Sequence, residues 1–162
     1  MDLLTGPDSG RVRRGAGMPV GSNARLLRNR GRLFMKKVLF VCVENSNRSQ
    51  MAQAFARIHG GSEIEAHSAG SRPSGRINPK AIDAMRELGY DLTSHHSKSL
   101  NDLPDGTYDA AITMGCGDAC PNVAARIHED WQIPDPREMP PEQFREVRDL
   151  IERKVKNLLA RL

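Results

Sequence analysis

The stretch Lys37–Ala52, KVLFVCVENSNRSQMA, limits the folds open to this chain more than any other segment. Val38 to Val41 is a short continuous run of apolar, β-prone residues, the pattern of a strand buried on both faces of a parallel sheet. Met51, Ala52, Phe55 and Ile58 then recur at helical spacing, which predicts a helix starting near Arg48 or Ser49. Between them lies a polar loop: Cys42, then Val43, Glu44, Asn45, Ser46 and Asn47, then Arg48 and Ser49. A strand-to-helix loop of this kind suits a tetrahedral oxyanion, because helix N-terminal N–H groups and the helix dipole both favour negative charge there. Arg48 adds a planar fork of donors matched to an oxyanion. The same field is expected to stabilise a thiolate, the nucleophilic form, at Cys42, with the Ser49 hydroxyl as a further donor. The plainer reading is a buried structural cysteine at a strand end. The strand before, the helix after and the Asn/Ser filling favour the anion site.

At 162 residues the chain is expected to form one domain with a proper core. Its net charge of +4 is concentrated at one end. Residues 1–34 carry seven arginines against two aspartates, a charge of +5, which leaves −1 for residues 35–162. A nearly neutral folded part gives no ground for a nucleic-acid partner. Four Phe, two Tyr and one Trp likewise offer no stacking platform for single strands. Residues 1–34 show no apolar periodicity, no secretory apolar core and no span of membrane length, so the expectation is a disordered extension or an upstream mis-assigned start, ahead of a domain at 35–162. Three cysteines without a signal peptide point to a reducing cytoplasm, where they are redox-active or catalytic rather than structural. A monomer is the expected state.

Further along, Ile64–Gly70 reads as a second strand ending at a glycine turn, with Ser68 either supporting the first loop or bonding locally at the strand end. Asn78 is placed to cap a helix that has Pro79 in its first turn, Ile82, Met85 and Leu88 on its buried face, and Gly89 at its end. His95 and His96 lack ligand-like neighbours, so no metal is expected and both are read as surface polar residues. Tyr108–Met114 is a third apolar run and a candidate parallel strand. It delivers Met114-Gly115-Cys116-Gly117-Asp118-Ala119-Cys120-Pro121 to the carboxyl edge of the sheet, the edge where open α/β sheets bind ligands and where Cys42 is expected. Cys116 and Cys120 have no second pair with which to hold zinc; they are either inert or redox partners, and the flanking glycines give the backbone the freedom that a moving disulfide partner needs. Asp135, locked between Pro134 and Pro136, is either simple turn chemistry or a placed acid. A last amphipathic helix runs from about Pro141 to Arg161, its stripe formed by Phe144, Val147, Ile151, Val155, Leu158 and Leu162.

Four motifs together carry a family resemblance over residues 37–162: NSxRSQMA after Cys42, SAG at 68–70, MGCGDxCP at 114–121 and WxxxDP at 131–136. They resemble the low-molecular-weight protein tyrosine phosphatase superfamily, and within it the thiol-dependent arsenate reductases. The resemblance implies a flavodoxin-like doubly wound α/β sheet of about four parallel strands. It also implies an arsenate or phosphate oxyanion in the 42–49 loop, Cys42 as nucleophile, Arg48 as oxyanion ligand and Asp135 as general acid. Cys116 and Cys120 would form a disulfide relay served by an external thiol reductant, thioredoxin or a low-molecular-weight thiol, with no bound cofactor.

Three departures from the pattern matter. Asn47 stands where many members have a second cysteine. Glu44 stands where a small residue is usual, and is expected to face solvent so as not to oppose the thiolate. Some reductases of the superfamily hold a potassium ion behind the loop; here Asn45 and Ser68 match, but Gln53 and Lys98 replace two carboxylates, so Lys98 is expected to take the ion's place. Two other functions remain open: a phosphomonoesterase using Cys42, Arg48 and Asp135 without Cys116 or Cys120, and a non-catalytic oxyanion or redox sensor.

Overall fold

A computed structural model describes residues 35–115 and 123–162. The N-terminal extension and the two loop cysteines, Cys116 and Cys120, lie outside the described residues. Seven main elements follow in order: β1 (Lys36–Cys42), α1 (Arg48–Gly60), β2 (Ile64–Gly70), α2 (Pro79–Arg86), β3 (Tyr108–Thr113), β4 (Ala125–Asp130) and α3 (Pro141–Ala160). Short 3-10 turns occupy Gly61–Glu63, Leu92–Ser94 and Leu100–Asp102.

The four strands form one parallel sheet in the order β2-β1-β3-β4, the flavodoxin-like arrangement expected from the sequence. Because β1 pairs with both β2 and β3, it sits at the point where the strand order reverses. Alternation along β1 serves two layers: Val38 and Phe40 join the large core that contains α1, α2 and α3, while Leu39 and Val41 face a smaller cluster with Ala69, Tyr108 and Ala111. A strand buried on both faces needs an unbroken apolar run, which is what Val38–Val41 supplies.

The helices keep to their signals with two corrections. Asn78 caps α2 by accepting from the Lys80 N–H at 2.9 Å, with Pro79 at the first position, and Gly89 follows with a positive φ of 79°. Five members of the predicted stripe on α3 are buried, and Leu162 packs partly against the core. Ile58 and Leu88, however, are exposed rather than buried. Both lie at helix ends, Ile58 in the last turn of α1 and Leu88 two residues beyond α2, while the buried faces are made by Met51, Ala52 and Phe55 and by Ala81, Ala84 and Met85. Strand β4, ARIHED, was not located from the sequence. It is an edge strand with alternating half-buried and exposed positions and so lacks an apolar run.

Arg148 is a buried cation that braces α3 to α2. Its guanidinium donates to the Ala84 carbonyl at 2.9 Å and to Glu87 Oε2 at 2.7 Å, and it pairs with Asp149. No helix among the described residues is long and apolar enough to cross a membrane.

Candidate active site

The loop from Cys42 to Asn47 is shaped by where its carbonyls go. Cys42 O accepts from the Ser71 N–H, Val43 O from Arg72, Glu44 O from Ser74 and from the Ser97 hydroxyl, and Ser46 O from Asn78. Asn45 O accepts from the Gln50 amide, and Asn47 O from the Met51 N–H in the first turn of α1. All six carbonyls are thus directed into surrounding protein. In a planar trans peptide the N–H lies opposite the C=O, so the N–H groups of residues 43–48 turn the other way, into a common cup. Helix α1 opens on that cup with no acidic residue in its first turn and no side-chain cap, leaving its N-terminal donors for an anion. Pocket and loop coincide: the lining residues are Cys42, Val43, Glu44, Ser46, Asn47, Arg48, Asp135 and Arg137.

Asn45 holds this shape. Its backbone is left-handed, with φ of 50°, a conformation that asparagine tolerates better than most residues. Its side chain is fully buried and satisfied: Oδ1 accepts from the Lys98 N–H and from Gln50 Nε2, each at 2.9 Å, and Nδ2 donates to Ser49 Oγ at 2.8 Å. That last bond occupies an acceptor site on Ser49, whose own hydrogen then points to its one remaining partner among the described residues, Cys42 Sγ, 2.9 Å away. Asn45 therefore directs a hydroxyl donor onto the sulfur, the interaction a thiolate needs. Cys42 itself is buried at the carboxyl end of β1.

Gly70 explains the SAG motif. A Cβ there would come within 2.6 Å of the Val43 carbonyl oxygen and 3.0 Å of the Asn45 nitrogen, so only glycine lets β2 pass this close behind the loop. Ser68 does not touch the loop directly. It donates to Gln53 Oε1 and receives from Lys98 Nζ at 3.3 Å, while the Lys98 backbone bonds Asn45. Burial and the nearby Arg57 charge lower the Lys98 ammonium's pKa. A potassium ion does not fit this space: the carboxylates are absent, and an ammonium already stands against Ser68.

Arg48 is buried and reaches across the site, donating to the Ile133 carbonyl at 2.9 Å. The Asp135 segment is anchored by Trp131, whose ring packs on Phe40 with centroids 6.0 Å apart and whose N–H bonds Glu129. Asp135 lies exposed at the pocket rim. On the other side, Met114 N donates to Val41 O at 2.8 Å, and a Cβ on Gly115 would stand 3.2 Å from Arg48 Nη1. The chain thus enters the loop of Cys116 and Cys120 from a point beside the Arg48 guanidinium.

Two expectations are corrected here. Glu44 does not simply face solvent: it lines the pocket, with its carboxylate 3.1 Å from Arg137 Nη1. Of the two histidines, His96 is exposed but His95 is buried and part of the site's support. His95 Nδ1 lies 2.9 Å from Gln50 Oε1, and Nε2 meets the Tyr90 hydroxyl at 2.6 Å and Arg57 Nη1 at 3.1 Å. Neutral imidazole protonated at Nδ1 satisfies all three, giving a chain from Tyr90 and Arg57 through His95 and Gln50 to Asn45. Sequence reasoning missed this chain. Its one local signal was Gln50, a polar residue fully buried beside Met51 and Ala52 on the inner side of α1.

Burial, followed by the Arg57 charge, pushes the His95 pKa down to about 4 from 6.5. The unfolded chain therefore takes up a proton that the folded chain refuses, and stability should fall as pH drops from 6.5 towards 4. The expected loss attributable to this residue is roughly 3 kcal/mol over that window. Urea unfolding from pH 7 to pH 4 should show a steeper decline for the parent than for His95→Gln; parallel curves would mean that His95 is not held neutral.

A family model described as low molecular weight phosphotyrosine protein phosphatase matches residues 37–162. The glutaredoxin arsenate reductase of Synechocystis is 41% identical over 131 residues, which cover 79% of this chain and 99% of that protein. A solved arsenate reductase in the phosphate binding state superposes with a TM-score of 0.73 at 41% identity, covering 78% of this chain and 98% of that one. The Corynebacterium glutamicum thioredoxin-dependent arsenate reductase superposes with a TM-score of 0.63 at 29% identity, covering 84% and 70%. The family match begins at the second residue of β1 and runs through α3 to the final residue, Leu162, and so takes in the whole sheet and the cup at its edge: the chain belongs to the low molecular weight phosphotyrosine protein phosphatase family.

Proposed function

We propose that this protein is an arsenate reductase that converts As(V) to As(III) through the Cys42 thiolate and a disulfide relay. The observation that carries the reading is the sulfur of Cys42 at the base of an N–H-lined cup, hydrogen-bonded to Ser49, with Arg48 lining the same cup and standing beside Gly115, from which the two-cysteine loop departs. Arsenate binds as a phosphate-like oxyanion, its oxygens taken by the loop N–H groups and the Arg48 guanidinium. The Cys42 thiolate attacks arsenic, and Asp135 gives its proton to the departing oxygen, which leaves as water. Cys116 then attacks Cys42 Sγ. The sulfur–arsenic bond breaks with its electron pair moving to arsenic, so As(V) becomes As(III) and leaves as arsenite, while a Cys42–Cys116 disulfide forms. Cys120 attacks Cys116, restoring the Cys42 thiolate and leaving a Cys116–Cys120 disulfide for an external thiol reductant. The similarity to proteins named for glutaredoxin and for thioredoxin supports such a reductant. A dithiol protein such as thioredoxin suits an intramolecular disulfide, and a low-molecular-weight thiol is the alternative donor. This chemistry belongs in a reducing compartment, and we place it in the cytoplasm.

Hydrolysis of phosphomonoesters through a phosphocysteine is the second reading, favoured by the family and by the same Cys42, Arg48 and Asp135. Against phosphotyrosine as the main substrate, no aromatic side chain is among the described residues that line the pocket.

NADPH consumption in the presence of arsenate, thioredoxin and thioredoxin reductase tests the reading directly. Cys42→Ser should abolish arsenate reduction and any aryl phosphate hydrolysis together. Cys116→Ser should remove reduction and leave hydrolysis largely intact; equal loss of both would make the loop structural. Behind the cup, we assign Lys98 the rigidifying role that a potassium ion plays in some relatives. Activity should then be equal in sodium and potassium buffers, and Lys98→Met should lower it several-fold. Potassium activation of the parent, or an unaffected variant, would refute that role.

A further inference from the structure

Two charged groups at the mouth of the cup take no part in the reaction as written. Glu44 lies two residues after Cys42, and Arg137 two residues after Asp135. One guanidinium connects them all: Arg137 Nη1 donates to Glu44 Oε1 at 3.1 Å, and Nη2 lies 3.7 Å from Asp135 Oδ2. The Arg137 backbone N–H also donates to Asp135 Oδ1 at 3.0 Å. These are the only partners of the Asp135 carboxylate among the described residues. The other ties on this segment, from Arg48 to the Ile133 carbonyl and from Lys80 Nζ to the Arg137 and Met139 carbonyls, hold backbone on either side of Asp135 without reaching its side chain. A rigid Pro-Asp-Pro turn is thus pinned at its flanks, while among the described residues its carboxyl group is oriented by Arg137, and Arg137 is anchored to the oxyanion loop by Glu44.

We propose that Arg137 is a positioning residue and Glu44 its anchor: their ion pair clasps the general-acid turn to the oxyanion loop and aims Asp135 at the oxygen leaving arsenic. The inference rests on reading Asp135 as the acid. It also accounts for Glu44, an acid that would otherwise repel a dianionic substrate at the mouth of its own pocket. Arginine suits the task because its planar fork can hold the Glu44 carboxylate with one arm and steady the Asp135 oxygen that does not carry the proton with the other, which a lysine point charge does not.

The competing role for Glu44, simple repulsion of substrate, predicts effects of a different kind, so the two separate cleanly. The measurement is the single-turnover rate of arsenite formation by the reduced full-length protein, as a function of arsenate concentration. Glu44→Gln and Arg137→Gln should each lower the rate at saturating arsenate about two- to fivefold, the range of an exposed ion pair, with little change in thermal midpoint. The double variant should be no slower than the slower single one. In an Asp135→Asn background, already slowed, Glu44→Gln should have no further effect. High salt should slow the parent towards the Glu44→Gln rate, because the pair is exposed and screened. If Asp135→Asn is slow but Glu44→Gln alters only the half-saturating arsenate concentration, the clasp is overturned and repulsion is its role. If Glu44→Gln slows the Asp135→Asn protein further, the pair acts elsewhere and the proposal fails. If Asp135→Asn runs at the parent rate, the acid assignment itself falls, and the clasp with it.

Discussion

The oxyanion cup exists because six successive carbonyls, from Cys42 to Asn47, are bonded outward. Everything else in the site follows from satisfying those carbonyls elsewhere. The segment 71–78 lies alongside the loop to supply four of the donors, Gly70 is bare so that β2 can bring that segment close, and Gln50 is buried to supply a fifth. A buried carbonyl without a donor costs about 1–3 kcal/mol, so the outward bonds specify the loop shape as firmly as a core specifies a strand. The left-handed backbone at Asn45 is the local expense of this arrangement, and its three side-chain bonds hold it in place.

The same accounting ties the support to the chemistry. A neutral His95, kept so by burial and by Arg57, gives Gln50 its orientation; Gln50 and the Lys98 backbone fix Asn45; Asn45 turns the Ser49 hydroxyl towards sulfur. Each step is a hydrogen bond between groups held within the protein behind the loop, which is how a small pocket at a sheet edge becomes preorganised. Lys98 adds a cation behind the loop where its ammonium meets Ser68, without competing for the anion in front.

What the sequence revealed was set by local pattern. β1, the start of α1, the Asn78 cap and the stripe of α3 are each written in a few adjacent residues, and the structure has them where those residues predict. The loop and the Pro-Asp-Pro turn at the pocket were legible because the resemblance rests on contiguous motifs. Glu44 was misjudged because its partner, Arg137, is distant in sequence and no local rule pairs them. His95 looked like surface because its neighbours Ser94 and His96 are polar and exposed; its burial comes from Gln50, Tyr90 and Arg57 closing over it. Ile58 and Leu88 show the reverse case: apolar periodicity assigned them inward, but Ile58 lies in the last turn of α1 and Leu88 beyond the end of α2, past the stretch of each helix that is covered. Strand β4 had no apolar run to announce it.

On the function proposed above, the cup presents Cys42 for two-electron transfer to bound arsenic, relayed through Cys116 and Cys120. That claim is tested most directly by a single turnover without any external reductant. Fully reduced protein mixed with excess arsenate should release one arsenite per chain, and peptide mapping by mass spectrometry should find Cys116 joined to Cys120 with Cys42 as a free thiol. Arsenite released while Cys116 and Cys120 both remain thiols, or no arsenite at all from protein shown to bind arsenate, would contradict the account.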